Sequence, residues 1–356
     1  MVDKNMSNVS YAQSAQDNYF MMLAIEQAKR GQYTTRPNPA VGCIIVQAGK
    51  IVGQGFHPKV GQPHAEVFAL KEAGIQAKGA SAYVTLEPCS HTGRTPPCAL
   101  ALIGAGIKRV VIAGLDPNPQ VAGRGVAMLE AAGIEVKIGV LTEQAESLNR
   151  GFLKAMRTQM PYVRLKIATS LDGRTAMADG ESKWITGVAA REDVQKLRAQ
   201  SGAIITGSET VIADDPQLNV RSTQLAVASD QIPTPLVVIL DRRRRLAHDV
   251  QSDYNLCRRK DTLYWHKDDL TELLKSLVSE HQRYDVLVEA GASVAGSFLS
   301  QELVDELIIY QAPCFLGSQA RAMIDFQPLS LAQQLRFNYQ SYERIETDLK
   351  IVLTPL

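Results

Sequence analysis

The sequence predicts an α/β protein of two consecutive domains. Three observations carry this: the length, the composition, and two separate series in which short β-branched apolar runs alternate with helical stripes. At roughly 100–200 residues per domain, a chain of 356 residues suits two domains better than one. With 45% hydrophobic and 21% charged residues, it lies in the globular range and outside the disordered and fibrous classes. Its 38 Lys and Arg against 37 Asp and Glu leave a net charge of +1, too little field to concentrate a polyanion such as DNA or tRNA. Five cysteines are too few for a disulfide scaffold and odd in number, which suits a reducing compartment. The first twenty residues hold no apolar signal core, and no later stretch approaches the ~20 apolar residues that span a bilayer. The expectation is a cytoplasmic protein with no membrane segment.

Residues 1–16, rich in Ser, Asn and Gln, read as a poorly ordered leader. From Asp17 onward, Tyr19, Met22, Leu23, Ile25 and Ala28 form a stripe at helical spacing that ends near Gly31. Residues 41–46 and 50–55, on either side of Gly49, form a strand pair. Residues 64–73 follow as a helix, 82–86 as a strand, 96–105 as a helix, 109–113 as a strand, 126–132 as a helix and 135–139 as a strand. Strands alternating with helices imply a largely parallel sheet covered on both faces, because each parallel crossover lays a helix on the sheet.

The second series places strands at 162–168, 203–206, 236–240, 286–289 and 306–311, with helices at 189–200 and from Ser293. A helical stretch at 144–158 lies between the two series, and Pro161 breaks it from the next strand. The boundary therefore falls near residue 160, giving a first domain over 17–160 and a second over 161–356. The four consecutive arginines 242–245 read as a solvated loop.

The densest chemical signal is His64-Ala65-Glu66 followed by Pro88-Cys89 and Cys98. One imidazole nitrogen and two thiolates are three ligands of a tetrahedral zinc with the fourth position left to water, as in catalytic rather than closed structural sites. His57 and His91 are the nearby residues that would otherwise supply a fourth ligand. Glu66 lies two residues from the ligand histidine, placed to take a proton from the zinc water, whose pKa falls to about 7, and to return it to departing ammonia. An isolated His-x-Glu triplet arises often by chance in core or surface positions. A strand, Pro-Cys and a further Cys in an alternating α/β pattern make this one specific. Cytidine and tRNA-adenosine deaminases usually close the motif with Cys-x-x-Cys, whereas eight residues, SHTGRTPP, separate Cys89 from Cys98 here.

Further stretches extend the pattern: Arg36-Pro-Asn-Pro-x-Val-Gly42, Gly55-x-His57, Gly61-x-Pro-His-Ala-Glu66, Leu86-Glu-Pro-Cys-Ser-His-x-Gly-Arg-Thr-Pro-Pro-Cys98 and Asp116-Pro-Asn-Pro119. In these the chain resembles the RibD family of bifunctional riboflavin biosynthesis proteins, a diaminohydroxyphosphoribosylaminopyrimidine deaminase fused to a phosphoribosylaminouracil reductase. The resemblance implies a cytidine-deaminase-like three-layer first domain, with His64, Cys89 and Cys98 on zinc and Glu66 as acid and base. It also implies that Asn38, His57, Arg94, Asp116 and Asn118 line the pocket for the pyrimidine and its ribosyl phosphate. Arg94 suits a phosphate because its guanidinium fork matches the oxygens. Asp116 reads equally as a helix cap and Asn118 as a turn residue.

The second half lacks a Gly-x-Gly-x-x-Gly fingerprint. Instead Asp285-Val-Leu-Val-Glu-Ala-Gly-Ala-Ser-Val-Ala-Gly296 runs from a strand through small residues into a helix, whose first N–H groups suit a phosphate, with Gly291 and Gly296 allowing close approach. Beside it stand Lys166-x-Ala-x-Ser-Leu-Asp-Gly-Arg-Thr-Ala176, Gly180-Glu-Ser-x-Trp-Ile-Thr-Gly187, Arg198, Gly207-x-x-Thr210, Asp214-Asp-Pro-x-Leu218 and Arg221. These resemble the family's reductase domain, whose fold is similar to dihydrofolate reductase. The resemblance implies hydride transfer from NADPH to the ribosyl carbon, giving a ribityl product. By position it implies that Ala168, Trp184, Thr210, Asp214 and the run Gly291, Ala292, Ser293, Val294, Ala295, Gly296 and Ser297 contact NADPH. Ser182, Arg198, Leu218, Arg221 and Glu289 would contact substrate, with two arginines converging on its phosphate. Trp184 reads equally as a packing residue.

Two other classes stay open at this point. One is an RNA-editing zinc deaminase with an accessory domain, against which the near-zero net charge, the cysteine spacing and the second-half motifs all weigh. The other is a non-catalytic zinc protein, which requires that Glu66→Gln change no activity. The resemblance further implies a homo-oligomer, dimer or tetramer, acting on small phosphoribosyl pyrimidines without nucleic-acid or membrane partners. Cys43, Cys257 and Cys314 read as buried small hydrophobes.

Overall fold

The computed structural model describes residues 4–91, 96–118, 121–222, 224–246, 253–328 and 330–356. The chain divides into two compact units, Met1–Thr158 and Gln159–Leu356. The first unit runs α1 (Lys4–Lys29), β1 (Gly42–Gln47), β2 (Lys50–Phe56), α2 (Ala65–Ala73), β3 (Ser81–Val84), α3 (Cys98–Gly104), β4 (Arg109–Ile112), α4 (Arg124–Ala131), β5 (Glu135–Ile138), α5 (Thr142–Glu146) and α6 (Arg150–Thr158). Its five-stranded sheet has the order β2-β1-β3-β4-β5. Residues alternate between two cores: Cys43 and Ile45 face apolar residues of α2, α3 and α4, while Ile44 and Val46 face those of α1 and α5.

This sheet is parallel over half its width. The strands β3, β4 and β5 pair in parallel, but β1 is antiparallel to both β2 and β3. The two-residue turn Ala48-Gly49, with both φ values positive, allows no other pairing of β1 with β2.

Residues 4–16 are not a loose leader but the first turns of α1. A helix nucleated by a packed stripe propagates through polar residues, each adding a backbone bond without needing an apolar face. The helical stretch expected at 144–158 is broken into α5 and α6, because the Asn149 side chain turns away to the backbone of Ala40, accepting from its N–H at 2.7 Å and donating to its carbonyl at 2.9 Å.

Two contacts seat the helices that flank the site. α2 lies flush on β2: a Cβ at Gly53 would stand 2.1 Å from the Ala69 carbonyl oxygen, and one at Gly55 2.3 Å from that of Ala65. α1 is tied across the sheet by Asp17. Its fully buried carboxylate accepts from Arg109 at 2.7 and 3.0 Å, from Lys137 at 2.8 Å and from the Tyr83 hydroxyl at 3.1 Å.

The second unit runs β6 (Tyr162–Thr169), β7 (Arg174–Ala176), α7 (Val188–Gln200), β8 (Ala203–Gly207), α8 (Ser208–Asp214), β9 (Leu236–Leu240), β10 (Thr262–Trp265), α9 (Leu270–Ser279), β11 (Asp285–Val288), α10 (Ala292–Ser300), β12 (Glu306–Gln311), β13 (Arg321–Ala322), β14 (Phe337–Ile345) and β15 (Asp348–Pro355). Its large sheet has the order β10-β9-β8-β11-β6-β12-β15-β14, parallel from β10 to β12 and antiparallel beyond. Apolar residues of α9 and α10 cover one face, those of α7 and α8 the other.

Burial pushes the Asp17 carboxyl up, but the hydrogen bonds from Arg109 and Lys137 outweigh it and hold the group below the usual carboxylate range. A depressed folded pKa stabilises fully above the unfolded value near 4, and the contribution is lost as pH falls toward the folded value. Asp17→Asn is expected to cost about 3 kcal/mol at pH 7. In denaturant unfolding of the full chain the deficit against wild type should narrow at pH 3. Equal midpoints at pH 7 would show that the tie does not hold α1.

Candidate active sites

In the first unit the functional side chains gather where β3 and β4 end and α2 and α3 begin. His64 is the N-cap of α2 in extended conformation (ψ 167°), and its imidazole makes no cap bond. It points instead to the two thiols, with Nδ1 3.6 Å from Cys89 Sγ and 3.4 Å from Cys98 Sγ. These three atoms lie within 4.8 Å of one another. A tetrahedral zinc with ordinary bond lengths separates a nitrogen and a sulfur ligand by about 3.6 Å, so the donor set fits that ion.

Cys89 lies in the loop after β3, and Cys98 is the first residue of α3, its backbone N–H donating to Cys89 Sγ at 3.3 Å. Hydrogen bonding from Cys98, with the nearby His64 adding, draws Cys89 down to about 4, while the same bond and burial push Cys98 up. A thiolate is thus available at neutral pH, the form that binds metal.

Glu66 sits in the first turn of α2 at 3% exposure. Burial foremost raises its carboxyl pKa, and it feels the charges of His64 and Cys89. Its Oε2 is buried without a hydrogen-bond partner among the described residues, so a proton-accepting oxygen stands beside the three ligands. His57 is buried next to His64, with ring centroids 5.3 Å apart. Both its nitrogens are engaged, Nδ1 with the Pro63 carbonyl at 3.1 Å and Nε2 with Asn38 Nδ2 at 3.1 Å. It is therefore no fourth metal ligand, and burial lowers its pKa and keeps it neutral.

Asp116, after β4, is buried, and its carboxyl is pushed up to about 6, chiefly by burial, with the charges of Glu87 and Cys89 adding. Its Oδ1 accepts from the Asn118 N–H at 2.8 Å, which closes a turn over Asp116–Asn118. Arg94 lies outside the described residues.

In the second unit the expected residues meet beyond the ends of β8 and β11, alongside β6. Glu289 follows β11 and takes a two-pronged ion pair from Arg198 of α7, at 2.6 and 3.0 Å, with both side chains about nine-tenths buried. Of the two arginines expected on a phosphate, Arg198 pairs with Glu289, and Arg221 is exposed, with Nη1 donating to Asn219 Oδ1 at 2.8 Å and its charge felt at Glu289. Burial lowers the pKa of Lys166 on β6, which lies within the field of both partners of the pair. Sequence reasoning attaches no role to Lys166; the available signal is a lysine between the apolar Leu165 and Ile167 of a strand. Leu218 is 3% exposed among Val194, Leu197 and Val211, so its side chain packs and has no surface to offer a ligand.

Ser182 Oγ donates to Asp214 Oδ1 at 3.1 Å at the end of α8. Thr210 comes close to Gly291, 3.9 Å from where its Cβ would stand. Trp184 is 67% exposed under the Arg191 guanidinium, 4.3 Å from its ring, so it is not a core packing residue. Ala168 is half-buried on β6. Along the start of α10, Gly291 and Ser293 are exposed and Ala292, Val294 and Ser297 half-buried, whereas Ala295 and Gly296 are buried. The role expected of Gly296 is corrected: a Cβ there would stand 1.9 Å from the Asp325 carbonyl oxygen, so its smallness serves packing rather than approach to a ligand. Cys43 is buried as expected, but Cys257 and Cys314 are only half-buried.

Comparison with known proteins places both halves. A family profile described as "RibD C-terminal domain" matches residues 161–351, and one described as "Cytidine and deoxycytidylate deaminase zinc-binding region" matches residues 14–114. The riboflavin biosynthesis protein RibD of Haemophilus influenzae is 49% identical, covering 96% of this chain and 98% of its own. That of Escherichia coli is 48% identical over 94% and 98%. Among solved structures, Acinetobacter baumannii RibD superposes with a TM-score of 0.91 at 53% identity, covering 96% of this chain and 99% of that one. A Thermotoga maritima diaminohydroxyphosphoribosylaminopyrimidine deaminase/5-amino-6-(5-phosphoribosylamino)uracil reductase does so with 0.87 at 32% identity, over 97% and 100%.

The ligand geometry separates two variants. Cys98→Ala should retain less than about a tenth of the zinc bound by wild type after dialysis, whereas Glu66→Gln should retain it fully. Elemental analysis of the purified chains decides, and undiminished zinc in Cys98→Ala would remove that residue from the ligand set.

Proposed function

The chain belongs to the RibD family, and from that premise we propose how its residues divide the family's two reactions between the two sites. It is a bifunctional deaminase and reductase of riboflavin biosynthesis, using zinc in the first reaction and NADPH in the second. The observation that carries the deaminase reading is the unpartnered buried Oε2 of Glu66 beside three zinc-spaced donors.

Bound zinc supplies the Lewis acidity that makes water nucleophilic near neutral pH. Glu66 does the proton work: it takes a proton from the attacking water and delivers it to the exocyclic amine. A ring C–O bond forms, the C–N bond breaks, and ammonia leaves. Burial makes Glu66 readier to hold that proton than an exposed glutamate is. Asn38 gives its amide N–H to neutral His57, which fixes the amide and leaves Oδ1 to accept from the pyrimidine. His57, Arg94, Asp116 and Asn118 complete the pocket, with Arg94 on the phosphate.

In the second reaction NADPH supplies the hydride. Thr210, Asp214, Trp184, Ala168 and the start of α10 hold the cofactor. Glu289, balanced by Arg198 and Lys166, orients the sugar oxygens with Ser182, and Arg221 takes the phosphate as a charge-assisted partner. No helix among the described residues is long and apolar enough to cross a membrane. The reading is of a cytoplasmic homo-oligomer acting on small phosphorylated pyrimidines. Near-balanced charge and the wide cysteine spacing weigh against an RNA substrate.

Glu66→Gln should slow ammonia release from the ribosylaminopyrimidine by at least about a hundredfold, with NADPH oxidation on the deaminated compound unchanged. Ammonia released at the wild-type rate would sink the assignment. Arg221→Ala should raise the reductase KM for the phosphorylated substrate by about tenfold or more and leave that for NADPH alone. The reverse pattern would move Arg221 to the cofactor.

A further inference from the structure

Glu87 is 4% exposed and lies two residues before the ligand Cys89. Among the described residues no cation pairs with it, so its carboxylate is held by backbone N–H groups. Oε1 accepts from Gly125 at 2.9 Å and Val126 at 3.3 Å; Oε2 accepts from Gly123 at 2.9 Å and Asp116 at 3.3 Å. Its own N–H donates to the Gly114 carbonyl at 3.0 Å. Three of the four donors surround the first turn of α4, where N–H groups lack helical partners and the helix dipole favours an anion. The fourth belongs to Asp116, whose loop carries Asn118.

A second observation concerns the same place. Gly125 is pressed against the zinc-binding loop so closely that a Cβ would stand 2.0 Å from the Pro88 carbonyl oxygen. Pro88 is the residue between Glu87 and Cys89. Two independent close contacts, one electrostatic and one steric, thus bind Asp116 and the start of α4 to the turn that presents a metal ligand.

A buried carboxylate without a cation is costly unless its oxygens are fully hydrogen-bonded. Here each oxygen takes two donors, Oε1 both from the first turn of α4 and Oε2 one from the N-cap Gly123 and one from the loop at Asp116. Such a clamp has a single geometry. We propose that Glu87 is a positioning residue of the deaminase, setting the register between the zinc-binding loop and the loop that carries Asp116 and Asn118. It acts through those loops and touches neither metal nor substrate. This rests on the reading that Asp116 and Asn118 line the pyrimidine pocket. Sliding that loop by a fraction of an ångström displaces pocket wall against metal without disturbing either set of ligands, so the effect falls on substrate binding.

Glu87→Gln keeps the shape but turns one acceptor oxygen into an amide NH2 donor that faces two backbone N–H donors. In the full-length zinc-loaded enzyme, the deaminase KM should rise about tenfold or more. The deaminase kcat and the zinc content should be unchanged, and the reductase rate of the same chain reports that the protein is folded. Amide hydrogen exchange at Asp116, Gly123, Gly125 and Val126 should quicken. Gly125→Ala, with Glu87 intact, should raise the same KM by pushing α4 off Pro88. Lost zinc, or a fall in kcat at constant KM, would make Glu87 a support of the metal ligand and overturn the proposal, as would an unchanged KM in both variants. Asn118→Ala with unchanged KM would instead show that this loop does not touch substrate, a failure of the pocket reading rather than of the clamp.

Discussion

The chemistry of the first unit depends on how closely α2 lies on β2. Gly53 and Gly55 carry no side chain, and Ala65, Ala69 and Ala73 form the opposing stripe, so the helix rests on the strand backbone to backbone. That contact lets a helix begin within a few residues of the end of β2. His57, His64 and Glu66, which follow one another closely in the chain, thereby reach the edge where β3 and β4 deliver Cys89 and Asp116. A bulkier residue on either surface would lift the start of the helix and take the imidazole away from the thiols. This packing brings the zinc ligands together, and the contacts among His64, Cys89 and Cys98 then hold them in place.

The two sites use burial in opposite ways. In the deaminase site, burial raises the carboxyls of Glu66 and Asp116 and lowers the imidazole of His57, in each case disfavouring the charged form. In the second unit, burial opposes the charge of Glu289, Arg198 and Lys166, yet the ion pair holds the Glu289 carboxyl low and the Arg198 guanidinium charged. One site is thereby suited to exchanging protons with substrate and the other to binding polar oxygens in fixed places. The sheet geometry is shared: both sites stand beyond the carboxyl ends of parallel strands, where crossovers leave a crevice.

The parts of the fold legible in the sequence were those with strong local periodicity. α2, α7 and the buried strands β1, β4, β8 and β9 show apolar runs or stripes that survive without context. α9 was equally available, with Leu270, Leu273, Leu274 and Leu277 on one face and Asp269 accepting from the Glu272 N–H at 2.8 Å as its cap. The hairpin of β14 and β15 was not, because β14 is exposed on both faces and has no alternation to read. The leader misled for the complementary reason: its Ser, Asn and Gln carry no apolar stripe to mark it as helix.

The site divides along the same line. His64, Glu66, Cys89 and Cys98 are determined by sequence alone, since their residue types and spacing admit few other chemistries, and the surrounding motifs place the chain in its family. Partnership was decided by the tertiary structure. That Arg198 pairs with Glu289 while Arg221 lies exposed, that Gly296 packs against Asp325, and that Lys166 lies in the field of that pair are facts about side chains far apart in the chain. A linear motif records which groups are present. Only folding, by choosing which buried charges meet and which backbone donors surround Glu87, settles which of them remain free to act.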